Sequence, residues 1–523
     1  MKRIRFCNAL ILLSLMMLVA GCGEPTETVV DVPLPKSQSA PLQTPIASGD
    51  FSPQTLPGSP DNGSIENRTA RPSSFQSNPP AFNQSNFTPT PAPSNASNIR
   101  RLPPVPQDPA VRAASAMELV ESLQQLTMSA QEMDRAFQFS ESEKIWGQIQ
   151  SELEREFGEQ SWQVNNADMS RKIARISTGF GPEELKSLAR IQELNSQASE
   201  AYQVEQFDVA IKLTKQAYSL TSKLYGDESP VAGKQQLQLG RMHLLANELD
   251  DAISCFDRTI VMLAKTFSHS HPDLCIAYDL IGEAYVQQQS FALALVNLKA
   301  ATRMCGEIWG ENSPEYAKRA NNLGVAYFKN KELDNAFKIL KAAQILRIKH
   351  LGITDPSVAH SALNLGVVLQ EQNKLKDAVN FFEQAYNVSE KAEGEDQLKY
   401  EAHQKLSSAY MLNNQPELAE PLLNQLIEMT DKFSNGNSVA IASAKYRYAV
   451  ALCRQGKYET AEPILAEVLG IQKQELGLTN SATNQTLKAY ALLLKQTKQT
   501  EKIEQLNQTI RTAQQQDPNS RLK

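Results

Sequence analysis

The chain has 523 residues, room for about three or four globular domains, with 52 Lys and Arg against 58 Asp and Glu and a net charge of -6. That weak acidity argues against non-specific nucleic-acid binding, which draws its affinity from Lys and Arg neutralising phosphates. Six cysteines with no Cys-x-x-Cys pair argue against a zinc ribbon, a thioredoxin-type redox site or a small disulfide scaffold.

The N-terminal 21 residues read as a secretory signal. Lys2, Arg3 and Arg5 form a positive start, and Ala9–Ala20 is apolar apart from Ser14, too short to span a bilayer as a helix. Val19-Ala20-Gly21-Cys22 resembles a bacterial lipobox. The resemblance implies cleavage before Cys22, which then carries acyl chains that hold the protein to a membrane. Gly rather than Asp at position 23 implies, by resemblance to enterobacterial sorting, the outer membrane facing the periplasm.

Residues 22–108 then form an expected tether. Of the 27 prolines, 18 lie between Pro25 and Pro109, among Ser, Asn, Thr and Gln. Apolar residues are too sparse here to offset ordering entropy, so the composition predicts a disordered linker with polyproline II character. From 109 to 180, Met117, Leu119, Leu123 and Leu126, then Ile145, Trp146, Ile149 and Leu153, have partial helical spacing. They predict capping helices or a degenerate repeat.

From 181 to 515 the chain repeats with a period of 42. An alanine recurs as Ala210, Ala252, Ala294, Ala336, Ala378, Ala419 and Ala461, with Ile503 in a weaker eighth unit. Twelve residues earlier stands a small residue, among them Ala198, Gly240, Gly282, Gly324, Gly366 and Ser407. Sixteen after the alanine a glycine recurs as Gly226, Gly310, Gly352, Gly394 and Gly477. Ser229-Pro230, Ser313-Pro314 and Asp355-Pro356 predict an N-cap followed by proline at the first helical position. Each unit is thus two helices crossing closely at the small residue and the alanine, the second ending near the glycine. Neither can bury its apolar stripe alone, so units must stack. Pro421 and Pro463 fall inside second helices, where a tolerated local kink is expected.

The small residue, the larger one three later and the alanine nine beyond it resemble the tetratricopeptide repeat. The 42-residue length and the loops Gly310-x3-Pro314 and Gly352-x3-Pro356 are similar to the kinesin light chain type. The resemblance implies an all-α fold, a right-handed α-solenoid of stacked antiparallel helix pairs, with a concave surface lined by first helices. Residues 516–523 read as a disordered tail.

No catalytic constellation stands out: there is no Gly-rich phosphate loop, no Gly-x-Ser-x-Gly elbow and no His-Glu-x-x-His. No enzyme, cofactor or metal site is expected, and His269 with His271 belongs to an inter-unit loop. Cys275 and Cys305, at similar height in one hairpin, are a candidate disulfide in an exported protein. The candidate groove residues are Lys234, Gln238, Arg241, Lys318, Asn322, Lys329, His360, Asn364 and Lys405. Lys318, Asn322 and Asn364 partly match the residues with which some tetratricopeptide proteins grip a peptide carboxylate, whereas Glu401 departs from that pattern. Asn322 and Asn364 could equally hydrogen-bond within the stack. The expected function is a membrane-tethered scaffold that binds a protein or peptide partner in its groove; the alternative is a self-associating structural component of the envelope.

Overall fold

The computed structural model describes residues 109–516 except Gln160, Ser268 and His269, with side chains from 118 to 508. The signal peptide, Cys22, the tether and residues 517–523 lie outside the described residues. Among the described residues there are nineteen α-helices and no strand. Three come first: α1 (Pro109–Arg135), α2 (Phe139–Phe157) and α3 (Trp162–Ser177). Eight pairs follow. They are α4 (Pro182–Gln203) with α5 (Phe207–Tyr225), α6 (Pro230–Leu245) with α7 (Leu249–Thr266), and α8 (Pro272–Gln287) with α9 (Phe291–Trp309). Next come α10 (Pro314–Lys329) with α11 (Leu333–Leu351), α12 (Pro356–Glu371) with α13 (Leu375–Ser389), and α14 (Asp396–Leu412) with α15 (Pro416–Phe433). The last are α16 (Ser438–Arg454) with α17 (Tyr458–Glu475) and α18 (Ser481–Gln496) with α19 (Thr500–Gln516). From α4 onward every helix packs on the next, which makes an all-α solenoid of stacked pairs.

The first helices open as their sequences predict. Ser229 Oγ accepts from the Ala232 amide at 3.2 Å, Ser313 Oγ from Tyr316 at 3.1 Å and Asp355 Oδ1 from Ser357 at 2.9 Å, each followed by proline at N1. His271 does the same before Pro272, its Nδ1 accepting from the Asp273 amide at 3.2 Å. The hairpin turns carry a feature that composition did not announce. Lys331 has φ of +64°, its amide donates to Phe328 and the Glu332 amide to Tyr327, which closes the helix in a Schellman motif. Glu205, Asn247, Gln289, Asn373, Asn414 and Lys498 repeat this left-handed conformation without glycine. Second helices α5, α9 and α11 end on glycine, Gly226, Gly310 and Gly352, at φ of +86° to +91°. α13 differs: it stops at Ser389, five residues before Gly394.

The recurring alanines are all fully buried, at 0% exposure. Opposite them, the glycines of the first helices are required by space. A Cβ on Gly240 or Gly366 would come within 2.5 Å of Phe256 or Phe382, and one on Gly282 or Gly324 within 2.5 Å of Leu298 or Leu340. Pro421 and Pro463 sit six residues into α15 and α17, and both helices run on past them. Each proline removes only the amide that would bond the carbonyl four residues back.

The pair α1/α2 follows the repeat register. Ala130 and Ser142, twelve residues apart, are each at 0% exposure, Phe137 takes the left-handed turn at φ +59°, and Gly158 stands sixteen beyond Ser142 at φ +80°. From Ser142 to Ala210 the step is 68 residues rather than 42, and α3 occupies the insertion. It packs along α2 and also touches three repeat units: Ser177 bonds Tyr225 of α5 at 3.0 Å, Met169 meets Leu263 and Leu274, and Trp162 meets Cys275, Cys305 and Ile308. Among the described residues no helix is long and apolar enough to cross a membrane.

Candidate functional site: the first-helix face

Stacked first helices place equivalent side chains side by side, so the face they share can be read helix by helix. On α6, Lys234, Gln238 and Arg241 are half-buried. Lys234 Nζ lies 3.6 Å from Asp273 Oδ2 on α8. Burial alone would raise the Asp273 carboxyl, but Lys234, His271 and Arg241 together hold it below the usual carboxylate range.

Asp279, on α8, joins two residues of the next first helix. It accepts from Asn322 Nδ2 at 3.2 Å and lies 3.6 Å from Arg319 Nε, both on α10. Arg319 is buried and also stacks 5.7 Å over the Trp309 ring. Glu283, one turn along α8 from Asp279, has its carboxyl pushed up to about 7 by burial and by Asp279, against the pull of Lys318. Asn364 Nδ2 donates to Asn321 Oδ1 at 3.4 Å. Asn322 and Asn364 therefore both bond the preceding first helix, within the stack.

His360 is half-buried on α12, Lys329 is half-buried at the end of α10 and 5.9 Å from the Phe328 ring, and Lys405 is exposed on α14. Desolvation lowers the Lys405 ammonium, and Lys329 and Arg447 press it the same way, against Glu401. Asp279, Glu283, Arg319 and Arg447 are the residues that sequence spacing missed. Of these, only Arg447 stands two before its unit's small residue, where the spacing could have found it.

Cys275 and Cys305 are brought together, both fully buried and both free thiols. Cys275 Sγ donates to the Ala301 carbonyl at 3.3 Å, and contact with Cys275 and burial push the Cys305 thiol far up. One group among the described residues has metal-ligand spacing: His243, Glu248 and Asp251 offer atoms within 4.8 Å of one another. His243 occupies the position of Tyr285 and Tyr410 and makes a 2.5 Å bond to Glu248 in its own hairpin turn. A hydrogen bond accounts for the arrangement without an ion.

Residues 316–391 and 442–482 match tetratricopeptide repeat families. No curated protein matches the chain. Among solved structures it is similar to the kinesin-light-chain-type TPR-like repeats from Podosopora anserina, at 21% identity and a TM-score of 0.35, over 39% of this chain and 98% of that one. It is also similar to BtubC (BKLC) from P. vanneervenii, at 16% identity and a TM-score of 0.38, over 47% and 92%. A third is the signal transduction ATPase with a tetratricopeptide repeat sensor from Pyrococcus horikoshii, at 13% identity and a TM-score of 0.44, over 68% and 50%. With its closely crossed helix pairs and the two matched segments, the chain carries tetratricopeptide repeats.

Proposed function

We propose that this protein is a non-enzymatic interaction scaffold of the bacterial envelope, held to a membrane by acyl chains on Cys22 and facing the periplasm from the outer membrane. Its repeats take a protein or peptide partner across the first-helix face. The observation that carries the binding part is the unbroken row of first helices from α4 to α18, which offers polar side chains at matching heights over eight units. Tetratricopeptide repeats generally mediate protein–protein interaction, and neither matched family is a catalytic one. The anchor rests on the sequence around Cys22.

Site-specific photo-crosslinking in the living host tests both parts. A photoreactive residue at Asn364 or Lys405, on first helices, should give discrete protein adducts, whereas one at Val261 or Val296, exposed on α7 and α9, should not. Equal adducts from both sets would move the binding surface off this face. In the same cells Cys22→Ala should shift the protein from the membrane to the soluble fraction, and unchanged fractionation would remove the anchor.

A further inference from the structure

Two positions face each other again and again down the stack: the residue seven before the small residue of a first helix, and the residue eleven past the alanine of its second helix. In the second unit a Cβ on Gly233 would lie 3.3 Å from Leu263 Cδ2 and 3.5 Å from its Cγ. In the sixth the Tyr400 hydroxyl stands 3.5 Å from Thr430 Oγ1. The third unit holds Cys275 at one place, near the start of α8, and Cys305 at the other, near the end of α9. No other unit carries cysteine at either place. Cys275 Sγ reaches the Ala301 carbonyl, one turn before Cys305, at 3.3 Å, and the two thiols share one small cluster at 0% exposure. Cys255 on α7 and Cys453 on α16 lie in clusters that hold no second cysteine among the described residues.

Trp162 of α3 closes this pair off. It is 9% exposed and packs in the same cluster as Cys275, Cys305 and Ile308. Exchange with an external disulfide needs a thiolate and an open path to sulfur. The folded chain withholds both, because the pair is covered and because contact with Cys275 and burial push the Cys305 thiol far up. Oxidation therefore belongs to folding, before α3 settles on the third unit, rather than to the finished fold.

We propose that Cys275 and Cys305 close into a disulfide as the chain folds in an oxidising compartment, and that Trp162 then seals the bond. A thiolate of the pair attacks one sulfur of an external disulfide, which is glutathione disulfide or the oxidised cysteine pair of a thiol oxidase, and the other sulfur leaves as a thiol. The second cysteine then displaces the remaining thiol from the mixed disulfide. The chain gives up two electrons and two protons, and the external disulfide takes them up as two thiols. The bond ties the start of α8 to the end of α9 and so fixes the hairpin on which α3 lands. This rests on the export part of the reading given above, since a reducing cytosol would keep both thiols free.

Differential alkylation of the protein taken from its host tests this. Free thiols are blocked with light iodoacetamide in denaturant, disulfides are then reduced, and the released thiols take a heavy reagent. Mass mapping should find heavy label on Cys275 and Cys305 and light label on Cys255 and Cys453. The same protein, reduced and unfolded, should regain the bond when refolded over glutathione and glutathione disulfide. A bond that forms on refolding but is missing in the cell leaves the pair standing and removes the export reading. A bond that forms in neither, or that joins another cysteine, overturns the proposal. In the native protein the bond should resist dithiothreitol. Trp162→Ala, with helix content unchanged, should let it be reduced about tenfold faster or more, because reduction then no longer waits for α3 to open. Trp162→Phe keeps an aromatic cover and should stay slow. Equal rates in Trp162→Ala and wild type overturn the seal.

Discussion

Leu340 Cγ stands 2.5 Å from the point where a Cβ on Gly324 would lie, and that contact fixes how closely α10 and α11 can cross. The atom is a branch point rather than a flexible tip, so it cannot swing aside. Gly324→Ala gains up to about 1 kcal/mol in helix propensity but forces the helices apart. Overpacking of this kind costs about 1–3 kcal/mol, so the net effect is destabilising. Hydrogen exchange should show it as faster opening of α10 and α11, with the distant α16 and α17 unchanged, because each unit contacts chiefly its neighbours. Unchanged protection would mean that the crossing is looser than the geometry states.

The same contact marks what the sequence made legible. Wherever the first helix carries glycine, the residue four past the alanine is Phe or Leu, and Leu423 and Leu465 hold the same place in the units of Ser407 and Ala449; where the first helix carries Ala198, Thr214 stands there. Such recurring spacing exposes the fold from the sequence. The N-terminal unit could be read only as capping helices or a degenerate repeat, because Ser142 stands in for the alanine and Trp146 for the Phe or Leu, and its register shows once burial is known. The face was legible in part. Spacing named Lys234, Asn322 and Asn364, which stand on first helices, whereas Asp279 and Arg319 lie off the counted positions and take their roles from contacts between neighbouring helices. The C-terminal Lys405 could be named from spacing, but its cationic neighbours come from helices 42 or more residues away.

The turns offer a gain in stability. Lys331 holds φ of +64° with a full side chain, a conformation that costs L-residues about 1 kcal/mol relative to glycine. Its backbone amide, not its side chain, closes the motif, by donating to Phe328 at 3.0 Å. Lys331→Gly should therefore raise stability by up to about 1 kcal/mol, less whatever its 3.6 Å surface pairing with Glu371 contributes, itself about 0–1 kcal/mol. A rise in the urea midpoint checks it, and a fall would show that the surface pair outweighs the backbone strain.

Acid should loosen the middle of the stack first. His271 lies stacked 3.7 Å from Phe267, is edge-on to Trp162 and is 2% exposed, and burial lowers its pKa to about 4. Unfolded chains take up the proton near the ordinary pKa of about 6.5, whereas the folded chain resists until about 4. The stability that this difference gives is complete above about pH 6.5 and is lost as pH falls toward 4, amounting to about 2–3 kcal/mol. Asp273, held below its usual range, stays ionised through that window and does not mask the effect. His271→Asn keeps an N-cap acceptor but cannot titrate, so the variant should lose the acid-driven fall in α8 protection and keep only the opposite trend of Glu283, whose raised carboxyl takes up its proton in the folded state from about pH 7 downward. An undiminished slope would assign the acid sensitivity to other groups.

The pair between Arg319 and Asp279 should prove more costly to break than to delete. Arg319 retains 10% and Asp279 9% side-chain exposure, so neither charge has water enough to stand alone. Arg319→Met leaves Asp279 with only the Asn322 hydrogen bond and strips the cation from the Trp309 ring, at a cost of about 3 kcal/mol. Asp279→Leu strands the guanidinium in the same way. The double variant Arg319→Met/Asp279→Leu removes both charges and replaces them with apolar groups between α8 and α10, so most of the loss should return. A double-mutant cycle on the urea midpoints reads this as a coupling of about 2 kcal/mol or more. Strictly additive losses would mean that each residue is held by its other partners, Glu315 and Trp309 for Arg319 and Asn322 for Asp279, and that the two charges do not depend on one another.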